Sequence, residues 1–372
     1  MRKYYIKKTG RVISEIGILL LFVISSLLFT SLAFADDSPL VESNSDHVGL
    51  SRLNDVYLLS RGLLDAGYYR HALPHALKAH QLAVSNNRLS PQIKALITNN
   101  LAVVYFRLGQ YKQARRLLQQ SVRMIQPDQA SGQRLSYTPS IIRQLSVLKQ
   151  NLLRLDLAVN DFQRATLTLQ DMLELDRRLY SAKDPVVLHD QYLKLDLAYR
   201  RGKRDDLMRQ LKKHIQQIPA GRLYNQARAE AGLLRAKINI RAGRFRQATA
   251  DLHQALVWQA NASTELTAEL YQQLSYLTAI RGSAAKVDNH DHMNPYHKHH
   301  VKMLRQLFGH DHPQAAQAIV DYSNKAHIEL SADKINYILE IYARSFGPGH
   351  KRTLEIKNHS ARMNPFKRQA SL

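Results

Sequence analysis

The sequence contains no cysteine, and it has only 15 glycines and 11 prolines among 372 residues. The absence of cysteine excludes disulfide bonds, thiolate metal sites and a cysteine nucleophile. The scarcity of glycine and proline leaves few turn residues for a protein with many strands. Alanine, leucine, glutamine and arginine dominate instead, and these residues favour helices. The composition therefore indicates an all-α protein that is held together by side-chain packing.

Motifs typical of catalysis are also missing. The sequence has no Gly-x-Ser-x-Gly elbow and no His-Glu-x-x-His pair. The segment 347–353 contains glycines and a lysine but lacks the spacing of a phosphate-binding loop. We therefore expect a protein that binds another macromolecule, with no enzymatic activity and no cofactor.

The first 35 residues have the pattern of a targeting segment. Five basic residues fall within the first 11 positions, and residues 16–35 carry no charge and end in Ala33-Phe34-Ala35. This arrangement predicts a secretory signal peptide. The alternative is an uncleaved anchor, because 20 uncharged residues are long enough to span a bilayer. We expect an exported protein, either periplasmic or secreted, or anchored in the inner membrane and facing the periplasm.

The formal net charge is +23. Such a charge attracts anionic partners over long distances. Nucleic acid is the usual anionic partner, but the predicted export argues against it. Phospholipid head groups, envelope polymers and acidic proteins fit the compartment better. The alternative is that the charge reflects a proteome that is basic throughout.

A helix-turn-helix pattern stands out between Thr98 and Ile125. Large and small apolar residues recur at helical spacing, a glycine interrupts them, and a second helical pattern follows. The residues of this pattern are Leu101, Ala102, Tyr105, Leu108, Gly109, Tyr111, Ala114, Leu118 and Ser121.

The same turn signal recurs along the chain at a spacing near 42 residues. An aromatic or a small residue follows most of these turns at the position expected for a second helix. Asparagine replaces glycine once, and it tolerates the left-handed backbone conformation better than most residues. A wider interval predicts a longer loop around residues 131–140. The predicted turn residues are Gly67, Gly109, Asn160, Gly202 and Gly243.

These patterns resemble the tetratricopeptide repeat, in the longer variety of about 42 residues found in kinesin light chains. The segment 308–313 is similar to the linker between such repeats, and 346–354 looks like a degraded second copy in which Lys351 replaces proline. The resemblance implies an all-α α-solenoid of six or seven stacked antiparallel helix pairs. It leaves open whether the chain forms one solenoid or two short arrays.

The predicted organisation has six segments. Residues 1–35 form the signal peptide, 36–50 a linker and 51–282 the main repeats. Residues 283–296 form a histidine-rich loop or hinge, 297–363 weaker repeats and 364–372 a disordered tail.

The resemblance implies that the first helix of each pair lines a concave groove. A groove with tyrosine, asparagine and arginine suits a protein or peptide partner. The alternative is that these residues pack against a neighbouring repeat. The candidate groove residues are Asn54, Tyr57, Arg61, Asn99, Phe106, Gln150, Arg154, Tyr192, Tyr199, Lys237 and Tyr276.

Basic residues also gather beside the turns within the pairs. Turns of successive repeats lie along one edge of a solenoid, so these residues predict a positive strip for an anionic membrane or polymer. The alternative is a solvated edge that keeps the protein soluble. The candidate edge residues are Arg115, Arg116, Arg200, Arg201, Lys203, Arg204, Arg244 and Arg246.

A histidine tract lies near the predicted hinge. Imidazoles beside a carboxylate are potential ligands of zinc, copper or nickel, although a short tract is also compatible with a surface linker. The residues concerned are His290, His292, His297, His299 and His300.

Overall fold

A computed structural model describes residues 47–126, 138–202, 206–260, 262, 264–282, 294–326 and 329–363. The predicted signal peptide, most of the predicted linker and the predicted tail lie outside this part of the chain. So do residues 127–137 and most of the histidine-rich loop. Among the helices of the described residues, none combines the length and the apolar character needed to cross a membrane.

The described residues form α-helices and a single short 3-10 turn, Arg222–Tyr224. The first helix begins within the segment predicted to be a linker. In chain order the fifteen described helices are α1 (His47–Asp65), α2 (Tyr69–Ser85), α3 (Pro91–Arg107), α4 (Tyr111–Ile125), α5 (Pro139–Ala158), α6 (Phe162–Asp176), α7 (Pro185–Arg200), α8 (Leu207–Gln217), α9 (Asn225–Arg241), α10 (Phe245–Gln259), α11 (Glu265–Gly282), α12 (Pro295–Phe308), α13 (Pro313–Ala326), α14 (Ala332–Phe346) and α15 (Lys351–Met363).

Four of these helices begin at a serine, threonine, aspartate or asparagine cap followed by proline. The side chains of Ser90, Thr138, Asp184 and Asn294 each accept a hydrogen bond from a backbone N–H of the first helical turn. The proline that follows each of them has no N–H to leave unsatisfied, and its fixed φ suits the first turn. These pairs of residues fix the starts of α3, α5, α7 and α12.

The turns within the helix pairs follow the sequence prediction. All five predicted turn residues have a left-handed backbone, with φ between 58° at Asn160 and 80° at Gly67. At the four of these turns whose following residue is described, the N–H of that residue donates to a carbonyl of the preceding helix, as from Tyr68 N to Leu63 O at 2.8 Å. This hydrogen bond is the usual way in which a left-handed residue ends a helix. The prediction of these turns is confirmed.

Small residues allow the helices of a pair to pack closely. In α2, Ala72, Ala76 and Ala79 are at most 1% exposed. Six of the eight apolar or small positions predicted in the second pair are buried, whereas Tyr105 is half-buried and Tyr111 is exposed. Neighbouring pairs pack on one another from α1 to α15, and α11 and α12 both contact α13. The described helices therefore form one continuous array.

The array closes on itself. Helix α14 packs against α2, and one hydrophobic cluster joins residues of α1 to α5 with residues of α13 to α15. The Tyr69 and Phe346 rings lie 5.6 Å apart at the centre of this contact. The C-terminal helices thus cover part of the N-terminal repeats.

Candidate binding groove and closing linkers

The first helices of successive pairs face a common interior. The charge of Arg154 on α5 interacts with that of Glu265 on α11 and with that of Arg107 on α3. Helices α7 and α9 lie between α5 and α11 along the array. Electrostatic contact between such separated helices indicates a concave surface on which their side chains converge.

Most of the predicted groove residues lie where a recessed surface would place them. Eight of the eleven are half-buried, which leaves part of each side chain open to solvent. These residues are Asn54, Arg61, Phe106, Gln150, Arg154, Tyr199, Lys237 and Tyr276.

Three other predicted groove residues are buried between helices. Asn99 is 2% exposed, and its Oδ1 accepts a hydrogen bond from Asn151 Nδ2 at 2.8 Å. Tyr57 and Tyr192 are 5% and 7% exposed within hydrophobic clusters. Asn99 joins two neighbouring first helices, whereas Tyr57 and Tyr192 pack inside clusters formed by several helices. Little of these three side chains is open to a ligand, and their role in the groove stays a prediction.

A chain of ion pairs crosses the groove surface from α7 to α11. Lys237 Nζ lies 2.7 Å from Glu269 Oε1 and 3.6 Å from Asp196 Oδ1, and Arg200 Nε lies 2.6 Å from Asp196 Oδ2. Burial would lower the pKa of Lys237, but the charges of Glu269 and Asp196 outweigh it and raise that pKa. The lysine therefore remains charged and fastens three first helices together.

A second pair joins α7 to α9. His189 Nδ1 lies 2.9 Å from Glu230 Oε1, which also accepts a hydrogen bond from Gln226 Nε2 at 3.1 Å. Burial opposes protonation of His189, yet the charge of Glu230 raises the pKa of the imidazole. Neither Glu230 nor Glu269 was singled out in the sequence. Counting back seven residues, two helical turns, from Lys237 and from Tyr276 would have found them.

The groove has a basic side and an acidic side. Arg107 and Arg154 lie on α3 and α5, whereas Glu265 and Glu269 lie on α11. Burial raises the pKa of Glu265, and the charges of Arg154 and Arg107 oppose that rise. A ligand that crosses this surface meets Arg107 and Arg154 at one end, and Glu265 and the Glu269–Lys237 ion pair at the other.

The predicted basic edge is open to solvent, although several of its arginines also contact other groups of the chain. Arg115 is 17% exposed and pairs with Asp156 at 2.7 Å, and Arg244 Nε donates to Asn239 Oδ1 at 2.9 Å. Arg200 pairs with Asp196, as described above. All the described edge residues except Arg115 are exposed, namely Arg116, Arg200, Arg201, Arg244 and Arg246. Lys203 and Arg204 lie outside the described residues.

The histidine tract is divided between the interior and the surface. His297 and His300 on α12 are buried, and burial lowers the pKa of each to about 4. His299 is exposed and stacks on Tyr271 at 5.3 Å. His290 and His292 lie outside the described residues. Within the part of the chain that the structure describes, no three His, Asp or Glu side chains are grouped to hold a metal ion.

Two short segments, which we call the closing linkers, connect α12 to α13 (residues 308–313) and α14 to α15 (residues 346–351). Their glycines, Gly309 and Gly347, have φ of 102° and 103°. In each linker a phenylalanine stacks on a histidine, at 4.8 Å for Phe308 and His312 and at 4.9 Å for the second pair. The two segments therefore share one local geometry.

The histidines of both linkers contact the first two repeats. Nδ1 of His312 accepts a hydrogen bond from a backbone N–H of α13, and Nδ1 of His350 accepts one from α15. Each Nε2 therefore carries the proton of the neutral ring. It is turned towards Tyr69 Oη at 3.3 Å in the first linker, and it donates to Leu108 O at 3.2 Å in the second. Burial lowers the pKa of His312 to about 3, which keeps the ring neutral.

Comparison with known proteins supports the repeat assignment. A family model described as tetratricopeptide repeat matches residues 95–126, which hold most of α3 and all of α4. The helix pairs on either side repeat the same turn geometry. This chain contains a tetratricopeptide repeat at residues 95–126, within an array of similar helix pairs. Stacked tetratricopeptide repeats present extended concave surfaces for binding, so the fold is that of an interaction scaffold.

Two solved structures of low sequence identity are similar to this chain over much of its length. A Rap protein complexed with competence and sporulation factor is similar over 85% of this chain and 77% of its own, at 15% identity and a TM-score of 0.48. An assembly chaperone of RpL4 (Acl4, residues 1–338) is similar over 86% of this chain and 99% of its own, at 12% identity and a TM-score of 0.31. No curated protein sequence matches the chain.

Proposed function

We propose that this chain is an exported, non-catalytic scaffold that binds a protein or peptide partner in its concave groove, in the bacterial envelope. The observation that carries the proposal is the set of half-buried polar and aromatic side chains that successive first helices turn towards one interior. Recessed aromatic and arginine side chains provide most of the binding energy at interfaces of this kind.

The charges of the groove indicate the character of the partner. A peptide segment with an acidic residue near Arg107 and Arg154, and a basic residue near Glu265 and Glu269, would match both sides. Like charges at either end would be repelled, which gives the groove a preference for one direction of the peptide. The partner is therefore an extended segment of mixed charge.

The test is a selection from a peptide display library with the full-length chain, followed by titration of the selected peptides. Arg154→Gln removes one charge from the groove, and Arg246→Gln removes the same charge from an exposed position on the turn edge. We expect Arg154→Gln to weaken binding about tenfold, as for the loss of one charge-assisted hydrogen bond, and Arg246→Gln to have little effect.

Equal affinities for the two variants would contradict groove binding. If both variants weakened binding, and if binding disappeared at moderate salt, the basic edge would be the binding surface. The edge is the weaker candidate, because Arg115, Arg200 and Arg244 already bind other groups of the chain.

Export is tested separately. Fractionation of cells that express the chain with a C-terminal tag should recover it outside the cytoplasm. Sequencing of its N-terminus should find Asp36 if the signal peptide is cleaved after Ala35, and the original N-terminus if the segment remains as an anchor. Recovery from the cytoplasm alone would refute export without bearing on the groove.

A further inference from the structure

A cleft of about 620 Å³ lies where the closing linkers meet the first two repeats. One wall comes from the ends of α3 and α5 and the start of α4, and the other comes from α13, α15 and the second closing linker. Its volume is within the range of small-molecule binding sites. The residues that the next paragraphs use are Phe106, Arg107, Tyr111, Gln314, Lys351, Arg352 and Glu355.

One part of the cleft is basic. Arg107 comes from the N-terminal wall, and Lys351 and Arg352 come from the first turn of α15. Glu355 offsets one of the three charges, with its Oε1 at 3.8 Å from Lys351 Nζ. Two guanidinium groups and an ammonium on opposite walls form a setting suited to phosphate oxygens. Gln314 adds an amide that can serve as a further donor.

Another part of the cleft is aromatic. The Phe106 and Tyr111 rings lie 5.8 Å apart and are tilted by 56°. Phe106 is half-buried and Tyr111 is 36% exposed, so both rings present area to the cleft. A flat ring placed against them would gain apolar burial and stacking. The cleft thus combines an anion-binding region with a surface for a planar group.

We propose that this cleft binds an organic phosphate, with the phosphate near Lys351 and Arg352 and a planar ring against Phe106 and Tyr111. The cleft shares Phe106 and Arg107 with the groove, whereas the two groups that hold the phosphate, Lys351 and Arg352, are not groove residues. Because its two walls come from opposite ends of the array, the site exists only when the array is closed. Bound ligand therefore stabilises the closed form by mass action.

The experiment is calorimetric titration of the full-length chain with ADP, inorganic phosphate and citrate. We expect ADP to bind more tightly than phosphate, because the ring adds contacts, and citrate to bind no better than phosphate. ADP should also raise the melting temperature. The variant Lys351→Gln/Arg352→Gln should bind ADP at least about tenfold more weakly, since it lacks two charge-assisted contacts. Both side chains are exposed, so the variant is expected to fold.

The matched control is Lys357→Gln/Arg246→Gln, which removes the same net charge from exposed positions outside the cleft. It should bind ADP as the wild type does. Equal weakening in the two double variants would show general attraction by net charge and overturn the site. Absence of ADP binding at millimolar concentration, or citrate binding as tight as ADP, would overturn the assignment of an organic phosphate. Phe106→Leu should weaken the binding of ADP and leave the binding of phosphate unchanged. Unchanged ADP binding, or weaker phosphate binding, would overturn the role of the aromatic wall.

Discussion

The turns of the first two repeats and those of the fourth and fifth share a backbone but differ in their surroundings. A Cβ at Gly67 would lie 2.6 Å from ring atoms of His312 and Pro313, and one at Gly109 would lie 3.7 Å from His350. At Gly202 and Gly243 no described atom lies within 4 Å of that position. The first two turns are covered by the closing linkers, and the other two are open.

The comparison separates two reasons for a glycine in one motif. All four turns need a left-handed residue to end a helix, and hydrogen bonds within a few residues satisfy that need. Only Gly67 also needs to lack a side chain, because the first closing linker, from the other end of the array, packs directly on it. Local geometry is common to the repeats, whereas long-range contact distinguishes them.

Replacing a turn glycine by alanine should give the largest difference in stability loss between the covered turns and the open turns. Gly243→Ala should lower the free energy of unfolding by about 1–2 kcal/mol, the cost of a left-handed backbone with a side chain. Gly67→Ala should lower it by a further 1–3 kcal/mol, roughly the cost of overpacking. Urea unfolding of the two variants measures the difference. Equal losses would mean that the linkers do not cover the first turn.

Removal of the linker histidine should have a smaller effect. His312→Ala removes the cap of α13, the stacking on Phe308 and the contact with Tyr69, and we expect a loss of about 2 kcal/mol. Hydrogen exchange should then accelerate in α2 and α14, which meet at the closure, and much less in α9 and α10. His310→Ala is the control, because His310 is exposed and belongs to the same linker. Uniform acceleration across the array would contradict a local role.

A pH series should separate the middle of the array from the C-terminal helices. Burial, and then the neighbouring Asp176, raises the pKa of Asp190 to about 8. The folded state therefore holds a proton that the unfolded chain releases above its ordinary carboxyl pKa. Stability falls as pH rises from about 4 to about 8, by at most about 1.4 kcal/mol per pH unit. Asp190→Asn should flatten this fall in urea unfolding.

The buried histidines act in the opposite direction. Burial lowers the pKa of His297 to about 4, so the folded state excludes a proton that the unfolded chain binds below about 6.5. The contribution of neutral His297 to the free energy of unfolding is complete above about pH 6.5 and is lost as pH falls towards about 4. His297→Phe should reduce the loss on the acid side and leave the alkaline side unchanged. If it altered the alkaline side instead, the assignment of the two effects to separate regions would be wrong.

The sequence predicted the features that depend on neighbouring residues. The five turns and the resemblance between residues 308–313 and 346–354 were read from glycine, asparagine and aromatic positions, and the backbone angles confirm them. The closure could not be predicted, because helical periodicity describes which face is apolar and not which distant helix covers it.

The groove was predicted only in part. Arg154 and Lys237 lie on the expected surface, but Asn99 is buried by its bond to Asn151. The two residues occupy neighbouring first helices, and a shift of one position around a helix turns a side chain by about 100°. A rotation of this size moves a side chain from the groove to the interface between two helices. The groove positions were predicted by counting back from the turn residues, and the turn residues do not determine this rotation.

The closing linkers also limit how this molecule can change in length. His312 and His350 are 38 residues apart, and the groups that they meet, on Tyr69 and Leu108, are 39 apart. An open solenoid gains or loses whole repeats because each contacts only its neighbours. Here one repeat more or fewer between α5 and α11 would move both linkers away from their partners together. The joined ends make the number of repeats part of the fold, so duplication, the usual route by which repeat proteins grow, would break this one open.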